Sequence, residues 1–265
     1  MANQILFLKK NKLDISDTTV TLTASQGDDY TDFARNRLNT SAWVTSGSVD
    51  ADNTNIVVDF VNSVDLDIII LAKQNFKNYT VQYWNGSAYT DFSTAINVTN
   101  STADTKYHEF TLVTTTKIKL IVTGTQTANA DKYLYQFIAS EKIGRLEGWP
   151  VIKKPTLSRD RIKNKMISGK LAVKEQIGNF STDLEVKILS DDTDLTVVED
   201  LYDSNDGFLL WLCGGSETQF SSVRKGYRLE DIYLMKCVDE WQPEFYKGFY
   251  KSGIVTKISM SEVVD

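Results

Sequence analysis

Hydrophobic and polar side chains alternate in short runs through the first half of the chain. Ile56, Val58 and Phe60 alternate with Val57 and Asp59, Tyr79 with Val81 and Tyr83, Phe110 with Leu112, and Ile118 with Leu120 and Val122. A period of two puts one set of side chains on a core face and the other toward solvent, the pattern of a half-buried strand. Turn residues separate the runs: Gly47, Ser48, Asp50, Asp52 and Asn53 precede the first, and Asn85-Gly86 predicts a hairpin whose return strand opens at Tyr89 to Phe92. Many short strands divided by turns predict an antiparallel sandwich over 21–143, with the lone Trp43 closing one end of its core. Residues 1–20, with Ile5-Leu6-Phe7-Leu8, read as an extra strand of either domain or as an arm pairing with a neighbouring subunit.

Two of the three prolines, Pro150 and Pro155, follow Gly144 and Gly148, so 144–157 reads as a linker. Beyond it, 158–265 carries candidate strands at Gly169 to Val173, Thr182 to Leu189, Phe208 to Cys213, Arg228 to Val238 and Tyr246 to Met260. One helix is expected among them. Thr196 and Glu199 match a capping box, Leu195, Val198, Leu201 and Tyr202 share a helical face, and Asn205-Asp206-Gly207 ends the run. The fold class expected is mainly β: an N-terminal antiparallel jelly-roll sandwich and a C-terminal β domain with one packed helix.

Composition narrows the function classes. At 265 residues the chain has room for two domains, and a net charge of -6 argues against phosphate-backbone binding. The deficit is spread evenly, with 13 basic and 16 acidic residues in 1–150 and 16 and 19 in 151–265, so neither half is a basic nucleic-acid-binding domain. No apolar run approaches the roughly 20 residues that cross a bilayer, so no membrane partner is expected. In MANQILFLKKNK the lysines follow the apolar patch, the wrong order for a secretory signal. Cys213 and Cys237 read as two buried thiols on strands, and the Asn-x-Ser/Thr triplets as a consequence of composition.

Candidate chemistry is sparse. His108 is the single histidine, which rules out a multi-histidine metal site within one chain, and it reads as a surface or core-edge imidazole. There is no Walker loop, no dinucleotide glycine motif and no Gly-x-Ser-x-Gly elbow. Asp50 and Asp52 alternate as the opening of an oxygen-rich calcium loop would, but Asn55 and Val61 stand where that loop needs its glycine and its bidentate glutamate; the alternative is a solvated acidic turn. Asp28-Asp29, Asp191-Asp192 and Glu230-Asp231 are carboxylate pairs that read as turn residues and caps, which leaves a glycan-cleaving role without a positive signal. Trp84 and Tyr89, with Arg35 and Asn36, lie near turns where aromatic faces could stack on a sugar while polar groups take its hydroxyls; the competing reading puts Trp43 and Trp84 in the core. No cofactor is expected.

Two resemblances sharpen these expectations. Thr23-Ala24-Ser25, Ala34-Arg35-Asn36, Trp43 and Val58-Asp59-Phe60 stand in the order seen in the discoidin, or coagulation-factor type C, family, and the chain resembles it as far as Phe137. That resemblance implies a jelly roll with ligand contacts in loops at one end, and sometimes calcium in a loop. FLLWLCGG, GYRLEDIYLMKCVDEW and FYKGFYKSGI, spread over roughly 160–265, look like tail-tube and distal-tail domains of bacteriophages. Together they imply a non-enzymatic subunit of a phage tail tip or baseplate, located in the virion and assembled in the host cytoplasm. It would form a ring with copies of itself and contact other tail proteins, with sheet edges joined at Ile232, Tyr233, Leu234 and Met235. The alternative is a carbohydrate-binding module for host-surface adsorption, with a host glycan as partner.

Overall fold

The computed structural model describes residues 5–36, 40–146, 151–157, 161–165, 171–175, 180–188, 192–204, 207–211, 232–242, 244–247 and 252–263. They form two compact units. One holds Leu8–Lys142; the other gathers the start of the chain up to Phe7 with described residues from Ile143 to Trp211 and from Tyr233 onward. Both are antiparallel and mainly β. No helix among the described residues is long and apolar enough to cross a membrane.

The chain opens with β1 (Ile5–Lys9) and then builds the sandwich from β2 (Val20–Ala24), a 3-10 helix (Asp28–Ala34), β3 (Trp43–Val44), β4 (Thr54–Gln74), β5 (Phe76–Trp84), β6 (Tyr89–Val98), β7 (Lys106–Thr125) and β8 (Tyr133–Ser140). Strand order is β3-β8-β4-β7-β5-β6, with β2 on the first half of β4. Two long strands carry this topology. The start of β4 (Thr54 to Asp59) pairs with the end of β7, and its later part (Ile68 to Gln74) pairs with β8, with register shifts between Asp59 and Val64 and between Leu66 and Ile68. The alternation seen in the sequence becomes the core: Ile56, Val58, Phe60, Tyr79, Val81, Ile118, Leu120 and Val122 are buried around Trp43. Leu112 departs from expectation. It is 52% exposed, because it lies in the stretch of β7 beside these register shifts, where flanking residues are exposed as well.

The second unit comprises β9 (Lys142–Leu146), β10 (Val151–Leu157), β11 (Arg161–Lys165), β12 (Leu171–Glu175), β13 (Phe180–Ile188), helix α1 (Asp192–Asp203), β14 (Phe208–Trp211), β15 (Ile232–Cys237), β16 (Glu244–Lys247) and β17 (Ser252–Glu262). Its main sheet runs β10-β13-β17-β15-β14-β1-β9, with β16 on β17; β11 and β12 form a separate pair. The segment expected as a linker, 144–157, therefore lies largely in two sheet strands. Gly144 reads as a linker glycine in sequence, yet a Cβ there would meet Val197 Cγ2 at 2.3 Å, so its lack of a side chain lets α1 pack close to β9. Residues Ile5–Lys9 take the extra-strand alternative, between β14 and β9. The helix begins at Asp192, so Thr196 and Glu199 sit inside it rather than at its cap. Its apolar face matches expectation, with Val197, Val198 and Leu201 in the core and Leu195 and Tyr202 at its margin.

The expected assembly edge needs a correction. Ile232, Tyr233, Leu234 and Met235 are buried, and β15 has sheet neighbours on both sides, β17 and β14. A strand that lies between two others, paired with β17 at Met235 to Cys237, is not a free sheet edge. Cys237, at the end of β15, is a half-buried thiol whose pKa burial pushes up to about 12. Cys213, Asp191, Glu230 and Asp231 lie outside the described residues.

Candidate functional site

The Asn85-Gly86 turn forms as the sequence predicts and brings two aromatic residues opposite each other. Asn85 N–H donates to Ala88 O, Asn85 Oδ1 accepts from the N–H groups of Ser87 and Ala88, and Gly86 takes φ 100°, which favours glycine. This register pairs Trp84 with Tyr89 and Gln82 with Asp91. Tyr83 and Phe92 point into the core, so Trp84, Tyr89, Gln82 and Asp91 face outward. The two outward rings meet edge to face, centroids 5.3 Å apart at 68°, and both are half-exposed.

Neighbouring strands extend this surface with charge. Gln82 lies opposite Lys119 on β7, and Asp59 on β4 lies opposite Lys117. One rung results from Val57, Lys119, Gln82 and Asp91; beside it Asp59 pairs with Lys117 and Trp84 with Tyr89. Lys117 Nζ pairs with Asp59, Gln82 Nε2 donates to Asp91 Oδ1 at 3.0 Å, and Lys119 Nζ stands 5.4 Å from the Tyr89 ring centre. Burial raises the pKa of the Tyr89 phenol above its usual 10.0, and the Lys117 charge partly opposes the rise. Two stacking surfaces thus stand among an ammonium, a carboxylate and an amide.

Arg35 and Asn36 belong elsewhere. They follow the 3-10 helix, which packs on β2, β3 and β8, while β5 and β6 lie at the opposite end of the strand order. Arg35 is buried: Nε donates to Asp32 Oδ1 at 2.8 Å and Nη1 donates to Val20 O and Asp17 O. Asn36 Nδ2 donates to Ser41 Oγ, and its Oδ1 accepts from Gln136 Nε2. Both side chains tie the 3-10 helix region to the sandwich and do not join the Trp84 surface. Trp43 is buried, its Nε1 donating to Gln26 O. His108 shares a 2.8 Å hydrogen bond through Nε2 with the Tyr79 hydroxyl.

Asp50 and Asp52 do not converge on a metal. Asp50 Oδ1 accepts from Thr125 N–H at 3.0 Å and Thr125 Oγ1 at 2.7 Å, which, with the hydroxyl bond foremost, lowers its pKa below 3.8. Asp52 Oδ2 accepts from Val49 N–H. The cation of this loop is Lys132, fully buried, whose Nζ donates to Ser48 Oγ at 2.5 Å and to the carbonyls of Val49 and Asp52 at 3.0 Å each. A calcium ion would need those oxygens and would stand against an ammonium, so the residues present do not fit it. Among the described residues no group of three or more His, Cys, Asp or Glu could hold a metal ion.

No protein-family model and no curated protein matches this chain. Solved structures that are similar include chitosan-binding module 1 derived from a chitosanase/glucanase of Paenibacillus sp. IK-5, at 20% identity and a TM-score of 0.41, covering 49% of this chain and 97% of that one. CpGH89CBM32-5 from Clostridium perfringens, in complex with GalNAc-β-1,3-galactose, is similar at 16% identity and 0.37 over 46% of this chain and 94% of its own. A Ruminococcus gnavus GH29 fucosidase in complex with fucose is similar at 14% and 0.39, covering 48% of this chain and 26% of the enzyme. Identities and scores this low establish no kinship.

Proposed function

We propose that this chain binds glycans without cleaving them, and that the outward rungs of β5, β6 and β7 are the contact surface. The observation that carries this reading is the half-exposed Trp84–Tyr89 pair with Lys119, Gln82 and Asp91 on the adjoining rung. The C–H face of a pyranose is apolar and lies flat on an indole or phenol ring, while its equatorial hydroxyls need donors and acceptors at the rim. Lys119 donates, Asp91 accepts and Gln82 does both. Covering about 50 Å² of ring is worth roughly 1–1.5 kcal/mol at 25 cal/mol per Å². Two rings and a few hydrogen bonds then give affinities between about 1 mM and 1 μM.

Titration with cellohexaose, chitohexaose and galactohexaose, followed by calorimetry and tryptophan fluorescence, tests the reading. Binding of at least one of them is expected, weakened about tenfold or more by Trp84→Ala and by Tyr89→Ala in variants that keep the wild-type circular dichroism. Lack of binding to all three, or binding indifferent to both substitutions, overturns it. The rival expectation, a ring-forming phage tail subunit, offered Ile232–Met235 as one joining edge, and β15 has a sheet neighbour on each side. No observation favours it.

A further inference from the structure

We infer that the sandwich carries a second glycan-contact surface, formed by Tyr133, Tyr135 and Lys73, so that one chain holds two saccharide ligands. This inference rests on the glycan-binding reading of the Trp84 surface. Tyr133 and Tyr135 flank the buried Leu134 on β8, and with Tyr133 exposed and Tyr135 half-exposed both rings reach the surface, although further along the strand Phe137 and Ala139 turn into the core. Their rings meet edge to face with centroids 6.0 Å apart at 86°, and Lys73 Nζ lies 5.9 Å from the Tyr135 ring centre. The arrangement repeats the rings and cation of Trp84, Tyr89 and Lys119: two outward rings in edge-to-face contact, with a lysine ammonium near the second.

The surroundings hold the pair in place and leave it accessible. Lys73 has φ 52°, a break in the run of β4, and falls opposite Tyr135 between the Ala72–Gln136 and Gln74–Leu134 pairs. Tyr133 N–H donates to Asn75 Oδ1, and Tyr133 stands across from Val44; both of these side chains are 37% exposed. An apolar side chain beside an exposed phenol widens the flat area a sugar ring would cover. Tyr30 and Phe33 also stack, at 25°, but no cation stands over either ring among the described residues, so they do not repeat the arrangement. Since β8 and β3 lie at one end of the strand order and β5 and β6 at the other, two ligands would not compete for the same area.

The test is stoichiometry on the full chain, by calorimetry and amide-resolved NMR with the same three hexasaccharides. Two molecules bound per chain are expected, falling to one in Tyr133→Ala and to one in Trp84→Ala, each variant losing shift changes only around its own rings. Lys73→Met, which leaves both tyrosines in place, should weaken the β8 event several-fold without touching the other. One molecule per chain, abolished by Trp84→Ala and indifferent to Tyr133→Ala and Lys73→Met, overturns the second surface and leaves the first intact. No binding of any hexasaccharide overturns both.

Discussion

Replacing Lys132 with methionine tests whether the loop between β3 and β4 is held by the chain's own cation. Methionine keeps most of the stem and removes the ammonium, so Ser48 Oγ, Val49 O and Asp52 O lose their shared donor. An orphaned buried acceptor costs roughly 1–3 kcal/mol, but the two carbonyls are only part-buried and water can reach them in compensation. The loss should therefore be about 2–3 kcal/mol, or roughly 6–12 °C in melting temperature for a unit of this size. The pH dependence carries a second sign. Burial lowers the Lys132 pKa below 10.5, opposed by the charges of Asp52, Asp50 and Asp131. Between that lowered value and 10.5 the unfolded chain binds more protons than the folded one, so wild-type stability gains from Lys132 as pH rises through that window and loses the gain as pH falls. The methionine variant should lack this slope. Urea unfolding at neutral and alkaline pH measures both effects; a loss below about 0.5 kcal/mol, or the same alkaline slope in both proteins, would refute the reasoning.

Arg35→Met should destabilise the sandwich by roughly 1–3 kcal/mol, since Val20 O and Asp17 O lose a charged donor, while hexasaccharide affinity stays at the wild-type value; unfolding and titration on one sample separate the two. Gly27→Ala should cost about 2 kcal/mol or more in calorimetry, because φ is 67° and the new Cβ would meet Val44 O at 2.3 Å, whereas Gly47→Ala, at φ 70° with nothing within 4 Å, should cost only about 1. In acid, Asp50 contributes stability above pH 3.8 that is lost as pH falls through its lowered pKa; Thr125→Val, removing the leading cause, should return its carboxyl carbon titration toward 3.8 in NMR. Burial raises the pKa of Asp67, so its contribution runs the other way, declining as pH climbs from 3.8 through the raised value, and Asp67→Asn should flatten that segment of the stability curve.

How far sequence carried depended on how local the deciding contacts were. Alternation at Ile56, Val58 and Phe60 and the Asn85-Gly86 turn are set by neighbours in the chain, and the strands and hairpin formed as expected. The facing of Trp84 and Tyr89 follows from that turn alone. Which strands flank the hairpin does not: Lys117 and Lys119 alternate with core residues in plain view, but only the pairing of β7 with β5 and β4 sets them beside the rings. Arg35 misled for a related reason. Its carbonyl partners lie 15 and 18 residues upstream, and nothing local shows that a guanidinium beside a turn is already occupied. The position of β15 inside its sheet, and of Gly144 under α1, were hidden in the same way, since sheet order and close approach are properties of the assembled layers.

Lys132 also decides how the protein should respond to divalent cations. Calcium takes six to eight oxygens at about 2.3–2.6 Å, and five of the loop's oxygens already accept hydrogen bonds: Ser48 Oγ, Val49 O and Asp52 O from the ammonium, Asp50 Oδ1 from Thr125, Asp52 Oδ2 from Val49 N–H. Neither calcium nor a chelator should move the wild-type melting temperature. Lys132→Ala changes the balance by removing stem and charge together, leaving a void bordered by those three oxygens with the negative field of Asp50, Asp52 and Asp131 still upon it. A cation that binds only the folded state stabilises it by mass action, about 2.7 kcal/mol at a hundred times its dissociation constant. Calcium should therefore restore part of the stability lost in Lys132→Ala, and do less for Lys132→Met, whose side chain still fills the space. Calorimetry with and without calcium on the three proteins decides it: a calcium-dependent rise in the wild type, or none in the alanine variant, would mean that the ammonium is not standing where a cation would go.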